Sequence, residues 1–314
     1  MRAAVWIIAA GLAFAGETSF ELSGQVDPQA RAAISLFGAT SPFQASTMSD
    51  EKGRFVFRKL LPGAYTVSVF IPLRGEARKT VEVGPGTADA HGLVRVNLHL
   101  AESDFEYADT ARRQNAVPAS QLAVSDKAQR EYEEAQKELS RHDGASAEKH
   151  LGRAVELAPQ FAGAWNELGT IAYQTGRFDR AEECFRESLR LDPQAYEPLV
   201  NLGGVLVTER KLDEAWQYNG YAVLARPNDA LAQSQMGLTY FALGKYDLAI
   251  GHLEKARKLD PAHFSHPQLV LAEIHLRRGE NAAAAEAMED FLAHHPDYPQ
   301  AAKMRETIEK LRGK

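Results

Sequence analysis

The chain has 314 residues, of which 45% are hydrophobic and 25% are charged. This length suits about two domains, and the composition supports a packed core rather than wholesale disorder. The 36 Lys and Arg against 42 Asp and Glu leave a net charge of −6, which argues against bulk electrostatic binding of nucleic acid. A single cysteine, Cys184, excludes an intramolecular disulfide and a cysteine-rich zinc cluster.

Residues 1–15 are typical of a secretory signal peptide. Arg2 gives a positive start, an uncharged apolar run follows, and Ala13 and Ala15 stand where a signal peptidase requires small residues. The apolar run is shorter than the roughly 20 residues that span a bilayer. We therefore expect cleavage before Gly16, a periplasmic or secreted protein and no transmembrane segment; a short membrane anchor or a buried helix is the alternative.

Residues 18–100 alternate between apolar and polar side chains, as half-buried strands do. The clearest run is 93–100, where every second residue is Val or Leu. Polar or Gly-Pro turns at 49–53, 61–63 and 84–86 separate the runs. Short strands at this spacing predict an all-β sandwich.

Two segments of this region, 50–57 (DEKGRFVF) and 61–67 (LPGAYTV), resemble the carboxypeptidase regulatory-like, or prealbumin-like, domain. The opening segment 22–26 fits that family's first strand. The resemblance implies an accessory or spacer module, with a possible glycan or partner contact. Related pilin-type sandwiches carry a Lys–Asn crosslink, but the first strand here has no lysine.

Residues 101–125 lose the alternation and contain Pro118, which breaks regular structure. We interpret this stretch as a linker between two domains.

The second half of the chain repeats with a period of 34 residues. Pro159, Pro193, Pro227 and Pro261 are spaced by 34, and Pro296 follows after 35. This period with helical patterning is the signature of tetratricopeptide repeats, and residues 126–298 resemble that family in residue order and spacing. The resemblance implies five repeats (128–161, 162–195, 196–229, 230–263 and 265–298) in an all-α superhelical solenoid, with residues 299–314 as a capping helix.

The repeated residues indicate close helix packing. Gly169, Gly203 and Gly237 are expected to let the two helices of a repeat cross closely. The third repeat departs from the pattern, because Asn219 replaces an apolar residue and Arg210 replaces a glycine. It is expected either to pack less tightly or to be compensated by neighbouring aromatic residues, namely Trp216, Tyr218 and Tyr221.

In the tetratricopeptide family the first helix of each repeat lines a concave groove that holds peptide ligands. Thirteen positions of this chain match such groove positions and suit an apolar partner segment. They are Asn166, Thr170, Tyr173, Gln174, Val200, Val207, Ser234, Leu238, Phe241, Leu269, Glu273, Leu276 and Arg277. Alternatively, neighbouring repeats or the linker simply cover Val200, Leu238 and Leu269. The lysine of the family's carboxylate clamp is absent, which disfavours capture of an acidic C-terminus.

No catalytic, phosphate-binding or dinucleotide-binding motif stands out in the sequence. His263 and His266 have metal-ligand spacing, but Pro267 makes one shared helical face improbable, and no metal or cofactor is predicted. The leading hypothesis is an exported non-enzymatic scaffold that binds a protein partner in the cell envelope through the groove. The alternative is a glycan- or cell-wall-associated module, with the sandwich as binding head and the repeats as stalk.

Overall fold

The computed structural model describes residues 19–105 and 124–313. The expected signal peptide and most of the expected linker lie outside these residues. Residues 19–105 contain seven strands, with the bounds β1 Phe20–Asp27, β2 Ala33–Gly38, β3 Gln44–Met48, β4 Arg54–Leu60, β5 Gly63–Ile71, β6 Gly75–Val83 and β7 Leu93–His99.

The strands form two packed sheets, so the expected sandwich is confirmed. One sheet has the order β4–β1–β7, with β1 parallel to β7, and the other has the antiparallel order β3–β2–β5–β6. Alternate side chains of both sheets, such as Leu22 and Val67, are fully buried between them. The strands β2 and β3 were not predicted from the sequence. The residues of β2 do alternate with period two, since Ile34 and Leu36 are apolar and buried and Ser35 between them is polar. The strand has only six residues, so the alternation is too short to stand out in the sequence.

The sandwich extends into the segment that was expected to be a linker. Residues Glu102–Asp104 form a 3-10 turn, and Phe105 is buried in the sandwich core. The guanidinium of Arg74 lies 4.8 Å above the Phe105 ring. The buried ring therefore holds the chain against the sandwich as far as residue 105.

Residues 124–313 contain eleven helices that pair as helical repeats. Their bounds are α1 Asp126–Leu139, α2 Gly144–Leu157, α3 Ala162–Gln174, α4 Phe178–Leu191, α5 Tyr196–Thr208, α6 Leu212–Ala225, α7 Ala230–Ala242, α8 Tyr246–Leu259, α9 Pro267–Arg277, α10 Asn281–His294 and α11 Ala301–Leu311. The two helices of each repeat pack together, and each pair packs on the next. Among the described residues, no helix has both the length and the apolar character needed to cross a bilayer.

The expected close helix crossings at glycine are confirmed. A Cβ atom added to Gly169 would lie 2.6 Å from the Phe185 ring, and one added to Gly237 would lie 2.6 Å from the Leu253 side chain. Any side chain at these positions would push the paired helices apart. This is why the repeat pattern requires glycine on one helix and a large apolar residue on the other.

The third repeat replaces its apolar contact with a polar one. Asn219 is fully buried, and its Nδ2 donates a hydrogen bond to the Thr239 hydroxyl at 2.9 Å. Arg210 adopts φ +64° where Gly176 and Gly244 adopt φ +76° and +73°. Such left-handed backbone is unfavourable for a residue with a Cβ atom. The third repeat thus contains both a buried polar contact and a strained helix end.

Of the three aromatic neighbours, one supplies apolar packing: Tyr218 is half-buried against the core shared by the second and third repeats. Trp216 and Tyr221 do not, since they are 46% and 61% exposed on α6. Thr239 of the following repeat supplies the polar partner of Asn219, and this contact was not predicted from the sequence. Cys184 is fully buried in the core between the first two repeats, and burial raises the pKa of its thiol to about 11.

Candidate partner-binding groove

The first helices of the second to fifth repeats, α3, α5, α7 and α9, contact one another in succession, as helices that line one face of a solenoid do. Four of the expected groove residues lie together on α3, namely Asn166, Thr170, Tyr173 and Gln174. They line a cavity of about 280 Å³ between α3, the first turns of α5 and α7, and the β-sandwich. The chain's own sandwich therefore covers the first half of the groove, and this half is not freely accessible from solvent.

The four-stranded sheet faces the solenoid. Gln174 Nε2 donates a hydrogen bond to the Gly38 carbonyl oxygen at 2.9 Å, which joins the end of α3 to the end of β2. The Phe43 ring, next to β3, stacks on His142 between α1 and α2, with 4.3 Å between ring centroids. These contacts attach the β2–β3 side of the sheet to the first two repeats.

The edge strand β6 lies along the turns that join successive repeats. Arg78 Nη2 contacts Glu197 Oε1 at 2.8 Å, and the Thr80 backbone N–H donates to Asp260 Oδ2 at 2.9 Å. Beyond the strand, the Gly86 backbone N–H donates to Asp297 Oδ1 at 2.7 Å. An edge strand normally presents unpaired backbone groups, and here acidic side chains of the solenoid satisfy at least one of them.

A network of four charges lies at the centre of this interface. Arg78 contacts both Glu76 and Glu197, and Arg226 lies 3.6 Å from Glu197 and 3.8 Å above the Tyr196 ring. Burial acts to raise the pKa of Glu76 and of Glu197, but the attraction of Arg78 and Arg226 outweighs it, so both pKa values are lowered. The two carboxylates are therefore ionised when the domains are in contact.

The cavity is also lined by a carboxyl group whose ionised form is stabilised by none of the arginines that the structure describes. Glu167 lines the cavity, and Tyr132 donates a hydrogen bond from its hydroxyl to Glu167 Oε1 at 3.0 Å. Burial raises the pKa of Glu167 to about 7, and the Tyr132 hydrogen bond only partly opposes that shift. Glu167 was not predicted from the sequence, because nothing in the sequence distinguishes it from the many other glutamates of the helical half.

The second half of the groove has a different character. Six expected residues lie on α7 and α9, and all are half-buried except Arg277, which is exposed; they are Leu238, Phe241, Leu269, Glu273, Leu276 and Arg277. The Arg277 guanidinium lies 5.0 Å from the Phe241 ring centroid, and its Nε donates to Glu273 Oε1 at 2.8 Å. Within the described residues, the hydrogen bonds and ion pairs of the sandwich do not reach these six positions.

Two expected groove residues need correction. Val200 is 2% exposed and packs with Tyr196, Ala222 and Ala232 between repeats. Ser234 is fully buried and accepts a hydrogen bond from the Ser265 hydroxyl at 2.6 Å. Neither side chain has surface to offer a partner, since each faces the neighbouring repeat. Val207 is half-buried against the core that joins α3 to α5.

The two histidines with metal-ligand spacing point to different neighbours. His263 Nδ1 lies 2.6 Å from the Ser265 hydroxyl, whereas His266 packs edge-on against Phe291 and His295. Burial, with a further contribution from His295 and His263, lowers the pKa of His266 to about 3. Residues 19–105 and 124–313 hold no group of three or more potential ligands that could bind a metal ion.

Comparison with known protein families agrees with both halves of this architecture. The carboxypeptidase regulatory-like domain family matches residues 22–99, and a tetratricopeptide repeat family matches residues 240–308. The family described as the middle TPR-like domain of cilia and flagella-associated protein 70 matches residues 128–260.

Curated relatives match the helical half. The mouse cell division cycle protein 16 homolog is 29% identical over 35% of this chain, and the match spans only 19% of the mouse protein. The type IV pilus assembly protein PilF of Pseudomonas aeruginosa is 26% identical over 59% of this chain and 74% of its own length. The chain thus spans about a fifth of the first relative and about three quarters of the second.

Solved structures of tetratricopeptide repeat proteins share the helical fold. PilW, a type IV pilus biogenesis factor, superposes with a TM-score of 0.53 at 20% identity, covering 60% of this chain and 87% of PilW. MamA from Desulfovibrio magneticus RS-1 superposes with a TM-score of 0.50 at 23% identity, covering 56% of this chain and 99% of the MamA fragment. At these identities the likeness concerns the fold alone.

Proposed function

Because the chain is a tetratricopeptide repeat protein with an N-terminal carboxypeptidase regulatory-like domain, we propose that it is an exported, non-enzymatic scaffold that binds a protein partner in the cell envelope. The observation that carries this proposal is the open second half of the groove. There, apolar side chains on two adjacent helices remain partly accessible while the sandwich covers the first half.

The chemistry of this surface suits an apolar segment of a partner protein. Phe241 and Leu276 offer apolar area, and full burial of such a side chain contributes roughly 1.5–3 kcal/mol. Arg277, stacked on Phe241 and paired with Glu273, supplies a polar rim next to the apolar residues. A central aromatic or aliphatic anchor beside an arginine is the usual composition of an interface hot spot.

Two observations support a location in the cell envelope. Residues 1–15 have the charge, length and small-residue pattern of a signal peptide. PilF, of whose length this chain matches 74%, is named as a type IV pilus assembly protein.

The test is capture by crosslinking of the tagged full chain in its native envelope. Phe241→Ala and Leu276→Ala should each reduce capture of the same protein at least fivefold, because each removes an anchor of the open groove. Leu224→Ala is the matched control, since Leu224 is 79% exposed on α6, in the second helix of its repeat. Equal capture by all three variants would place the partner elsewhere on the molecule.

A glycan-binding sandwich is the second candidate function. The observation in its favour is Phe70 on β5, which is 41% exposed. The other Phe, Tyr and Trp side chains in residues 19–105 are buried or half-buried. Aromatic faces of this kind stack on sugar rings, although one such face makes a small platform. Binding of the full chain to a glycan array, lost in Phe70→Ala, is the expected result for this candidate.

A further inference from the structure

The solenoid presents a row of hydrogen-bond acceptors near the junctions between its repeats. This acceptor row consists of the carboxylates of Glu197, Asp260 and Asp297 and the backbone carbonyl of Leu259. Glu197 lies in the first turn of α5, Leu259 and Asp260 at the end of α8, and Asp297 shortly after α10. A row of carboxylates that face the same way attracts positive charge and N–H donors.

Apart from the Gly86 backbone N–H that meets Asp297, the donors that meet the row come from one extended segment, the strand β6. Arg78 reaches Glu197, Lys79 Nζ contacts the Leu259 carbonyl at 2.8 Å, and the Thr80 backbone N–H reaches Asp260. Three consecutive residues of β6 thus supply two cationic side chains and one backbone N–H. The row therefore recognises extended backbone that carries adjacent basic residues, a form of recognition in which the main chain gives affinity and the side chains give specificity.

The contact between sandwich and solenoid is polar and encloses a cavity of about 280 Å³. Charged side chains of both domains line the cavity, such as Lys79 and Asp229, so water can enter it and compete for the contacts of β6. An interface of this composition resembles a transient contact more than a domain core.

We propose that the acceptor row is a binding site for an extended basic segment of a partner protein, and that β6 occupies this site until such a segment displaces it. The proposal rests on the proposed scaffold function and adds the chemistry of the partner. The covered half of the groove then becomes accessible when β6 leaves. The partner segment must present at least two adjacent Lys or Arg residues in extended conformation, as β6 does.

The first measurement follows the domain contact in the full chain without any partner. Dyes attached at Lys52→Cys and Lys258→Cys report the distance between sandwich and solenoid, since both positions are exposed and the native Cys184 is fully buried. Arg78→Glu should lower the energy-transfer efficiency, whereas Arg78→Lys, which keeps the positive charge between Glu76 and Glu197, should retain most of it. Circular dichroism and the fluorescence of Trp165 and Trp216 show whether each variant is folded.

The second measurement uses a fluorescent peptide with the sequence of Gly75–Val83 as the probe. The peptide should bind the Arg78→Glu chain at least tenfold more tightly than the wild-type chain, because the wild-type β6 competes at an effective concentration of about a millimolar. Adding Asp260→Ala to the Arg78→Glu chain, which removes the acceptor of the Thr80 backbone N–H, should weaken peptide binding at least tenfold. A control peptide with Arg78→Glu and Lys79→Glu should bind neither chain.

Two outcomes overturn the proposal. Unchanged energy transfer in a folded Arg78→Glu chain shows that the charge contacts do not hold β6 in place. Equal binding of the native and control peptides shows that the row does not select basic segments. Neither measurement uses an envelope partner, so failure of partner capture by the open groove would leave these results unaffected and would count against the proposed function alone.

Discussion

Replacing Glu167 by glutamine is expected to stabilise the repeats at alkaline pH and to leave them unchanged at acidic pH. The substitution keeps the size of the side chain and the oxygen that accepts the Tyr132 hydrogen bond. It removes the carboxylate that burial disfavours. The effect must therefore depend on pH in a way that a simple packing change does not.

The magnitude follows from the pKa of the group. Burial raises the pKa of Glu167 from 4.5 to about 7, and one pKa unit corresponds to about 1.4 kcal/mol. The folded state holds the proton more tightly than the unfolded state, so stability falls as pH rises from 4.5 to about 7 and then stays level. The full shift gives roughly 3 kcal/mol, and solvent screening at this half-buried position reduces it to about 2 kcal/mol.

The assay is urea unfolding at pH 5 and pH 8, followed by the fluorescence of Trp165 and Trp216. We expect Glu167→Gln to be within about 0.5 kcal/mol of wild type at pH 5 and about 2 kcal/mol more stable at pH 8. Glu156→Gln, at an exposed position of α2, is the control and should match wild type at both values. An equal gain at pH 5 and pH 8 would refute the assignment of the effect to ionisation.

Three further predictions concern the repeats and the domain contact. Arg210→Gly should raise the free energy of unfolding by about 1 kcal/mol, because the arginine backbone holds φ +64°. Gly169→Ala should lower it by about 1–3 kcal/mol, because the new methyl group meets the Phe185 ring. The domain contact should weaken as pH falls through the lowered pKa values of Glu76 and Glu197, and Glu197→Gln should reduce that pH dependence in the energy-transfer measurement.

Each of these predictions has a contradicting result. No gain in urea midpoint for Arg210→Gly means that the left-handed backbone is not strained in this setting. A neutral Gly169→Ala means that the two helices of the second repeat separate at little cost. Energy transfer that is constant from pH 7 to pH 3 in wild type means that the two carboxylates do not hold the domains together.

The repeat architecture was predictable from the sequence, because it depends on local and periodic information. The helices end at prolines with a spacing of 34, and glycines such as Gly169 and Gly237 mark the close crossings that the structure shows. The sandwich was predictable from its alternating strands and turns. Two departures, Arg210 and Asn219, were also recognised, although the partner of Asn219 was not.

Only the tertiary structure showed that the sandwich covers half of the groove. The deciding contacts join residues far apart in the chain, as in Arg78–Glu197 and Thr80–Asp260, and contacts of this kind leave no periodic pattern. The burial of Val200 was likewise decided by packing. The repeat pattern predicts which face of the helix Val200 lies on, but only the neighbouring repeat determines whether that face is exposed or covered. The sequence by itself determined two folded domains; the charges and surfaces that they bring together determined which part of the solenoid remains open to a partner.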